Sequence, residues 1–293
     1  MNFTKMHGLG NNYVIFNQLD DPNNVLEEQM YPELSRRVSN VNFGIGSDGI
    51  ILICPSQMAD FKMRIFNEDG SEAKNCGNGL RCVAKFLVDS AYATEPRFTI
   101  ETLGGVVSVE VEVELDKKQS IQYVNVDMGE PKLLKGMIPM EGDPFMPAMN
   151  EPHTFGEDKY HLSCVSMGNP HAIIFVDEVN AVPLEKIGPV IEHDSLFPER
   201  VNVGIVQIKG RQEIDYRVWE RGSGLTMACG TGACAAVVAA TMNQLLDRNE
   251  AVTVHLPGGD LTVTWDEQGH VWKRGEASYI CHGELDFQYS FSA

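Results

Sequence analysis

Residues 64–79 read RIFNEDGSEAKNCGNG, and residues 217–232 read RVWERGSGLTMACGTG. The two stretches align without a gap at an offset of 153, about half of the 293-residue chain, and this alignment places Cys76 opposite Cys229. Self-similarity at a fixed offset is the sequence signature of an internal repeat. We therefore expect two similar domains, each carrying one copy of the cysteine motif.

Two further pairs of segments extend this repeat. FTIETLGGVVSVEV from Phe98 resembles VTVHLPGGDLTVTW from Val252 at an offset of 154. Near the start of each half, GNNYVIF from Gly10 resembles GNPHAIIF from Gly168 at an offset of 158. Three segments in the same order favour a duplication over convergent strand–turn–helix patterning.

Alternating and β-branched residues predict four strands in each half, and a Gly-Gly pair predicts a hairpin turn between the last two. The predicted strands are Ile50–Cys54, Phe61–Phe66, Arg97–Thr102 and Val106–Val113, then Ile205–Ile208, Ile214–Glu220, Ala251–Leu256 and Leu261–Trp265. One helix follows each cysteine motif, from Asn78 to about Tyr92 and from Thr231 to about Leu246, and the Ala-rich second helix is expected to be buried. The predicted fold class is α/β (α+β), with each half mostly strand around one helix.

The domain boundary is expected near residues 116–120, before a Pro- and Met-rich segment, 137–156, that we predict to be irregular. Near the end of the chain, Tyr279–Cys281 and Leu285–Tyr289 are strand-like and are expected to return to the first domain. The active site is expected in the cleft between the domains. The predicted domains are residues 1–118 with about 277–293, and residues 119–276.

Charge and composition exclude several classes of function. Lys and Arg number 23 and Asp and Glu number 41, giving a net charge of −18, and such a surface repels nucleic acids and anionic lipids. The first ten residues lack the apolar segment of a secretory signal, and the longest apolar run, Ala233–Ala240, is far shorter than a membrane span. Seven cysteines without a CxxC pair or zinc-like spacing favour a reducing cytoplasm and no metal. We expect a cytoplasmic protein that binds a small molecule, with no nucleic-acid or membrane partner.

Each cysteine motif, Cys-Gly-x-Gly, leads directly into a predicted helix. Glycines let the backbone approach a ligand, and the unpaired N–H groups of a helix start bind anions. Asn78 and Thr231 are good N-cap residues. The positive end of a helix also favours thiolate, so we expect the pKa of Cys76 and of Cys229 to be lowered. The other cysteines lack this setting and are expected to be packing residues: Cys54, Cys82, Cys164, Cys234 and Cys281.

Two thiols that face each other suit the inversion of a stereocentre without a cofactor. One thiolate removes the α-proton from one face of the carbon, and the other group, a thiol, delivers a proton to the opposite face. The negative charge that spreads into the α-carboxylate is held by the N–H groups of the two helix starts.

Six motifs resemble the diaminopimelate epimerase family over nearly the whole chain: KMHGLGNNYVIF, GIGSDGIILI, FNEDGSEAKNCGNGLRC, SMGNPHAIIFVD, FPERVNVGIV and WERGSGLTMACGTGACAA. The resemblance implies two pseudo-symmetric α/β domains, each a strand barrel around a central helix. It implies an isomerase that converts LL-2,6-diaminopimelate to the meso form, for lysine and peptidoglycan synthesis. It also implies a homodimer without pyridoxal phosphate, any other cofactor or a metal.

The resemblance assigns roles to individual residues. Cys76 and Cys229 match the catalytic acid/base pair, and His171 and Glu220 match positions that tune the thiol pKa. Arg221 is expected to take the distal carboxylate of the substrate in a two-pronged pair, and Glu220 its distal ammonium. The matched substrate-binding residues are Asn11, Asn67, Gly77, Asn78, Asn169, Asn202, Glu220, Arg221, Gly230 and Thr231. The chain departs from the family pattern at Gly49, where some members have Gln, and at Leu225, where many have Glu.

Four other functions agree less well with the sequence. A related cofactor-free racemase of proline or hydroxyproline shares the two thiols, but Glu220-Arg221 and the asparagines favour a substrate with a second charged head. A thiol-redox pair is disfavoured by the 153 residues between Cys76 and Cys229. A non-catalytic amino-acid-binding protein would not exchange the α-hydrogen of its ligand. Dinucleotide binding is disfavoured because the GxGxxG at residues 44–49 precedes a predicted strand instead of a helix.

Overall fold

The structure, a computed structural model, describes residues 1–74, 76–113 and 121–286. The chain divides into two compact units, Met1–Val126 with Glu276–Ala293, and Asp127–Gly275. The domain boundary predicted at residues 118 and 119 lies outside the described residues, as does part of the predicted strand Leu285–Tyr289. Within residues 1–74, 76–113 and 121–286, no helix is both long and apolar enough to cross a membrane.

Strands account for most of the regular structure, and the described residues of each unit form two α-helices. The strands are β1 (Asn2–Gly8), β2 (Asn11–Asn17), β3 (Gly49–Cys54), β4 (Phe61–Asn67), β5 (Glu72–Ala73), β6 (Arg97–Thr102), β7 (Gly105–Val113), β8 (Ile121–Asp127), β9 (Glu151–Phe155), β10 (Asp158–Ser166), β11 (Pro170–Phe175), β12 (Asn202–Gly210), β13 (Glu213–Glu220), β14 (Gly224–Leu225), β15 (Ala251–Leu256), β16 (Gly259–Trp265), β17 (Val271–Gly275) and β18 (Ser278–Glu284). The helices are α1 (Tyr31–Ser39), α2 (Gly77–Asp89), α3 (Leu184–Glu192) and α4 (Gly230–Met242).

The two units have the same strand pairings. In the first, β2 runs antiparallel to β1 and parallel to β3, while β4 runs antiparallel to β3 and parallel to β6. In the second, β11 runs antiparallel to β10 and parallel to β12, while β13 runs antiparallel to β12 and parallel to β15. The expected duplication is thus confirmed by the topology.

The register of the strands repeats as well. Ile50 lies opposite Phe66, and Val203 lies opposite Trp219, which keeps the sequence offset of 153. After the helices, β6 and β7 form a two-residue hairpin in which Thr102 faces Gly105, and β15 and β16 form the same hairpin. The Gly-Gly pairs therefore mark turns, as predicted.

Helix α4 is the centre of the second unit. Residues 233–240 are each at most 1% exposed, and the helix contacts β10–β13, β16 and β17. Ala, Gly and Cys side chains are short, so strands approach the helix from several sides. Met128 N donates to Val271 O of β17 at 2.9 Å, and Lys132 forms an isolated antiparallel β-bridge with Ser166 of β10. The segment from Met128 to Lys132 thus connects the β17 side of the sheet to the β10 side. The buried central helix is confirmed.

Several boundaries differ from the prediction. Helices α2 and α4 end earlier than predicted, because Ala91 and Gln244 just beyond them adopt a left-handed backbone with φ of 59° and 61°. The segment 137–156 is not irregular throughout, since its end forms β9 and pairs with β10. Tyr279–Cys281 lies in β18, which pairs with β1 as expected, whereas Leu285 and Asp286 follow β18 without joining a strand.

Candidate active site

Cys76 and Cys229 are the N-cap residues of the two long buried helices. Both have an extended backbone, with φ of −148° and −114°, and the helices begin at the next residue. Cys76 Sγ accepts a hydrogen bond from Gly79 N at 3.4 Å, so the sulfur takes the place of the usual capping oxygen. The N-caps predicted at Asn78 and Thr231 are therefore wrong by two residues, and these side chains lie in the first turn.

Asn11 and Tyr13, which are distant in sequence from α2, meet the Cys76 thiol and its neighbour Asn78. Asn11 Oδ1 accepts hydrogen bonds from Tyr13 Oη at 2.7 Å and from Asn78 Nδ2 at 3.2 Å. Tyr13 Oη lies 3.0 Å from Cys76 Sγ. The structure thus brings two predicted substrate-binding asparagines next to the predicted acid/base residue, together with a tyrosine that the residue assignments did not include.

Asp48, the residue before β3, fixes the orientation of Asn11. Its Oδ2 accepts from Asn11 Nδ2 at 2.8 Å and from the backbone N of Asn12 at 2.6 Å. Because the amide nitrogen of Asn11 is held by this carboxylate, its oxygen faces the tyrosine and Cys76. Asp48 was missed as a site residue, although it lies in the quoted motif GIGSDGIILI.

Asn67 occupies a different position from the other first-unit asparagines. It is the last residue of β4, and its Nδ2 donates to Ser71 Oγ at 3.0 Å. Among the described residues, the side chain of Asn67 is therefore bound to Ser71 and not to the cluster around Cys76. Opposite Asn67, Gly49 packs so closely on β4 that a Cβ atom would lie 2.2 Å from Phe66 O. A Gln at position 49 would therefore require β3 and β4 to separate.

In the second unit, a chain of side chains leads from the thiol to Asn169. Cys229 Sγ lies 3.5 Å from Thr231 Oγ1, and His171 Nε2 lies 3.1 Å from the same oxygen and 3.0 Å from Asn169 Oδ1. Because an amide oxygen only accepts, Nε2 carries the proton in this arrangement. Four residues predicted from the sequence are thereby brought together.

The remaining second-unit residues lie at strand ends beside this chain. Asn202 lies opposite His171, its Nδ2 donates to Pro170 O at 2.8 Å, and its Oδ1 accepts from Arg221 N at 2.9 Å. The exposed guanidinium of Arg221 donates from Nη1 to Glu199 O at 2.7 Å. One amide thus orders the start of β12 and the residue that follows β13.

The expected lowering of the Cys229 pKa is wrong. Burial and the charge of Glu220 raise the pKa of the Cys229 thiol well above its usual value. Burial also raises the pKa of Glu220, whose Oε1 accepts from Thr226 Oγ1 at 2.5 Å. Cys229 is only 4% exposed, so the loss of hydration raises its pKa by more than the positive helix N-terminus lowers it. The thiol of Cys229 and the carboxyl of Glu220 therefore resist being ionised at the same time.

Tyr216 is a second tyrosine that the sequence did not single out. It is 1% exposed, and a Cβ added to Gly232 would lie 2.2 Å from Tyr216 Oη and 3.2 Å from Cys229 Sγ. Gly232 is therefore required by the close packing of this phenol and the thiol on the helix. In the repeat, position 216 corresponds to Met63, so the duplication contains no signal for it.

His171 is expected to make the stability of the protein depend on pH. Burial, and then the charge of Arg221, lower the pKa of His171 to about 3. In the unfolded chain the imidazole binds a proton below about pH 6.5, whereas the folded protein resists protonation until about pH 3. Stability is therefore lost as the pH falls through this window, by about 2 kcal/mol between pH 7 and pH 4.5.

Urea unfolding of the protein and of His171→Gln at both pH values measures this effect. The variant is expected to lose about 2 kcal/mol less than the parent on acidification, because the other titrating groups are common to both. An equal loss in the two proteins would show that His171 does not account for the pH dependence.

The fold is shared with a class of solved structures. A PhzF-family phenazine biosynthesis protein of Bacillus anthracis superimposes with a TM-score of 0.70 at 17% identity, covering 98% of this chain and 99% of that one. A probable proline racemase of Agrobacterium radiobacter gives a TM-score of 0.69 at 16% identity, covering 98% and 93%. This chain therefore has the duplicated fold found in PhzF-family proteins and amino-acid racemases.

Sequence comparison identifies the family within this class. The family profile described as diaminopimelate epimerase matches residues 3–134 and 163–280. The diaminopimelate epimerase of Bacillus cytotoxicus is 51% identical over 98% of this chain and 97% of its own, and that of Bacillus cereus strain AH187 is 50% identical over the same shares. The chain belongs to the diaminopimelate epimerase family.

Proposed function

We propose that this protein is an isomerase that interconverts LL- and meso-2,6-diaminopimelate, with Cys76 and Cys229 as its acid/base pair. The observation that carries the proposal is the occurrence of a cysteine N-cap at the matched helix start of each unit, in a chain about half identical to diaminopimelate epimerases. This activity supplies meso-diaminopimelate for lysine and peptidoglycan synthesis.

The proposed reaction needs two groups at one carbon. The thiolate of one cysteine removes the α-proton and becomes a thiol, while the thiol of the other delivers its proton to the opposite face and becomes a thiolate. The configuration is inverted, and the two sulfurs exchange roles with each turnover. No cofactor or metal is assigned to these steps.

The α-carboxylate is proposed to bind at the helix starts. The first N–H groups of a helix have no partner within it, and they lie at its positive end. In α2 these groups belong to Gly77 and Asn78, and in α4 to Gly230 and Thr231. They would hold the negative charge that develops on the carboxylate as the α-proton leaves.

The distal head of the substrate is proposed to bind at Glu220 and Arg221. Diaminopimelate carries a second ammonium and a second carboxylate, which require one acidic and one basic partner. The exposed guanidinium of Arg221 suits the carboxylate, and the adjacent Glu220 suits the ammonium. Asn11, Asn67, Asn169 and Asn202 supply neutral amides for the remaining polar groups.

An assay in deuterated water tests the proposal against its alternatives. LL-diaminopimelate, L-proline and trans-4-hydroxy-L-proline are incubated separately, and both configuration and α-deuterium are followed. We expect inversion and deuterium uptake with diaminopimelate alone. Turnover of proline would favour the related racemase, and absence of exchange with all three compounds would favour a binding protein.

A homodimer, a cytoplasmic location and the division into residues 1–118 with 277–293 and 119–276 remain predictions. The dimer is measured directly by light scattering coupled to size-exclusion chromatography. A mass of about 65 kDa, twice the chain mass of 32.5 kDa, is expected.

A further inference from the structure

The Tyr13 hydroxyl lies between the Cys76 thiol and the Asn11 amide. Tyr13 is 5% exposed, and its Oη is 3.0 Å from Cys76 Sγ and 2.7 Å from Asn11 Oδ1. The amide oxygen has no proton to give, so the hydroxyl donates to Asn11. The neutral thiol has one S–H to give, and both the hydroxyl oxygen at 3.0 Å and Asn11 Oδ1 at 3.9 Å are within its reach as acceptors.

This arrangement has to change when the sulfur loses its proton. A thiolate is an acceptor only, and among the described residues the hydroxyl, at 3.0 Å, is nearer to the sulfur than the backbone donor Gly79 N, at 3.4 Å. Hydrogen bonds to an ionised acceptor are roughly twice as strong as those between neutral groups. The hydroxyl therefore gains more by donating to the thiolate than by donating to Asn11.

We propose that Tyr13 is a positioning residue whose hydroxyl turns its proton from Asn11 to the sulfur whenever Cys76 becomes a thiolate. The inference rests on the acid/base role proposed for Cys76. The hydroxyl keeps its proton throughout, and the proton taken from the substrate stays on sulfur, so no further reactant is required. When the hydroxyl rotates, Asn11 Oδ1 loses the hydrogen bond from Tyr13 but keeps the one from Asn78 Nδ2. The oxygen can then accept a hydrogen bond from a substrate ammonium.

The surroundings of Tyr13 support a donor instead of a second base. Burial, and then the charge of Cys76, raise the pKa of Tyr13 well above its usual value, so the hydroxyl stays protonated. Among the described residues, two charged side chains are held in place here: Asp48 binds Asn11, and Arg81 on α2 donates from Nε to Glu276 O at 3.0 Å. Both are unchanged in the variants described below.

The second unit does not repeat this device. The position that corresponds to Tyr13 is His171, which contacts Thr231 and Asn169 through Nε2. Cys229 Sγ lies 3.5 Å from the hydroxyl of Thr231, and the phenol near this thiol, Tyr216, belongs to β13 and corresponds to Met63 instead of Tyr13. The two thiols are therefore chemically unequal, although the backbones that present them are repeats of each other.

The test measures Cys76 directly and needs no diaminopimelate. Iodoacetamide reacts with thiolate, so the rate of alkylation of the Cys76 peptide, followed by mass spectrometry, reports its thiolate fraction. At about pH 7.5 we expect Tyr13→Phe to slow this reaction about tenfold or more, as loss of a hydrogen bond to a charged group predicts. The ratio of the two rates should fall as the pH of the reaction is raised.

Tyr31→Phe is the matched control. Tyr31 is 4% exposed in the same unit, and its hydroxyl bonds to Leu26 O at 3.1 Å. Its loss should leave Cys76 alkylation unchanged. If Tyr13→Phe does not fold, 3-fluorotyrosine at position 13 replaces it; this more acidic phenol is a better donor and should speed the alkylation.

An alkylation rate in Tyr13→Phe equal to that of the parent protein, or an equal slowing in Tyr31→Phe, would overturn the inference. Failure of the parent protein to epimerise diaminopimelate would instead count against the proposed function and leave the alkylation result standing.

Discussion

Replacement of either Cys76 or Cys229 by alanine is expected to abolish epimerisation of diaminopimelate. Each thiol is proposed to handle the proton on one face of the α-carbon, and alanine has no group that replaces it. Loss of a positioned acid or base lowers the rate by about 100- to 10,000-fold. The measurement is the appearance of the meso isomer from LL-diaminopimelate, with enzyme at high concentration so that a residual rate is detected.

The controls for this experiment are Cys82→Ala and Cys234→Ala. These cysteines lie on α2 and α4 and are fully buried, so the variants test the loss of a thiol from the same helices away from the N-cap. We expect a modest loss of stability with turnover retained. Near-normal turnover in Cys76→Ala or Cys229→Ala, with folding verified by circular dichroism, would refute the two-base assignment.

The substitution Arg221→Met is expected to lower kcat/KM for diaminopimelate by well over tenfold. A two-pronged pair between guanidinium and carboxylate is charge-assisted, and truncating one partner of such a pair in a closed site costs about 2–5 kcal/mol. The backbone N of Arg221, which donates to Asn202, is kept in the variant. The loss is therefore assigned to the guanidinium and not to the order of the strand ends.

Two comparisons sharpen this measurement. Arg211→Met removes another exposed guanidinium of the same unit, one paired with Asp247, and should leave kcat/KM unchanged. Arg221→Lys keeps the charge but loses the second prong, so an intermediate value is expected. A kcat/KM in Arg221→Met close to that of the parent would show that the distal carboxylate binds elsewhere.

The internal repeat made most of the fold predictable. Because side chains alternate along strands, two halves with the same pattern must pair their strands in the same register, as Ile50–Phe66 and Val203–Trp219 do. The N-caps were misplaced because propensity favours Asn and Thr at that position, whereas the structure gives it to cysteine. Helices α1 and α3 were not predicted from the pattern.

The electrostatics of the site were less predictable than its composition. A cysteine at a helix start predicts an acidic thiol, but the pKa of Cys229 follows from its burial and from Glu220, which only tertiary packing brings close. Tyr13 was within reach of the sequence, because the repeat aligns it with His171. Tyr216 was not, since its packing against Gly232 is a tertiary contact between β13 and α4.

The pairing of β18 with β1 determines when the first unit becomes complete during synthesis. Met1 and Leu285, 284 positions apart, are joined by a hydrogen bond, so β1 has no partner on this side until residues 278–284 have been synthesised. The second unit, residues 127–275, is continuous in sequence, so its folding does not depend on a strand from a later part of the chain. In the nascent chain, the later-made half is therefore ready to close first, and the earlier-made half keeps an open strand edge of the kind that attracts mispairing.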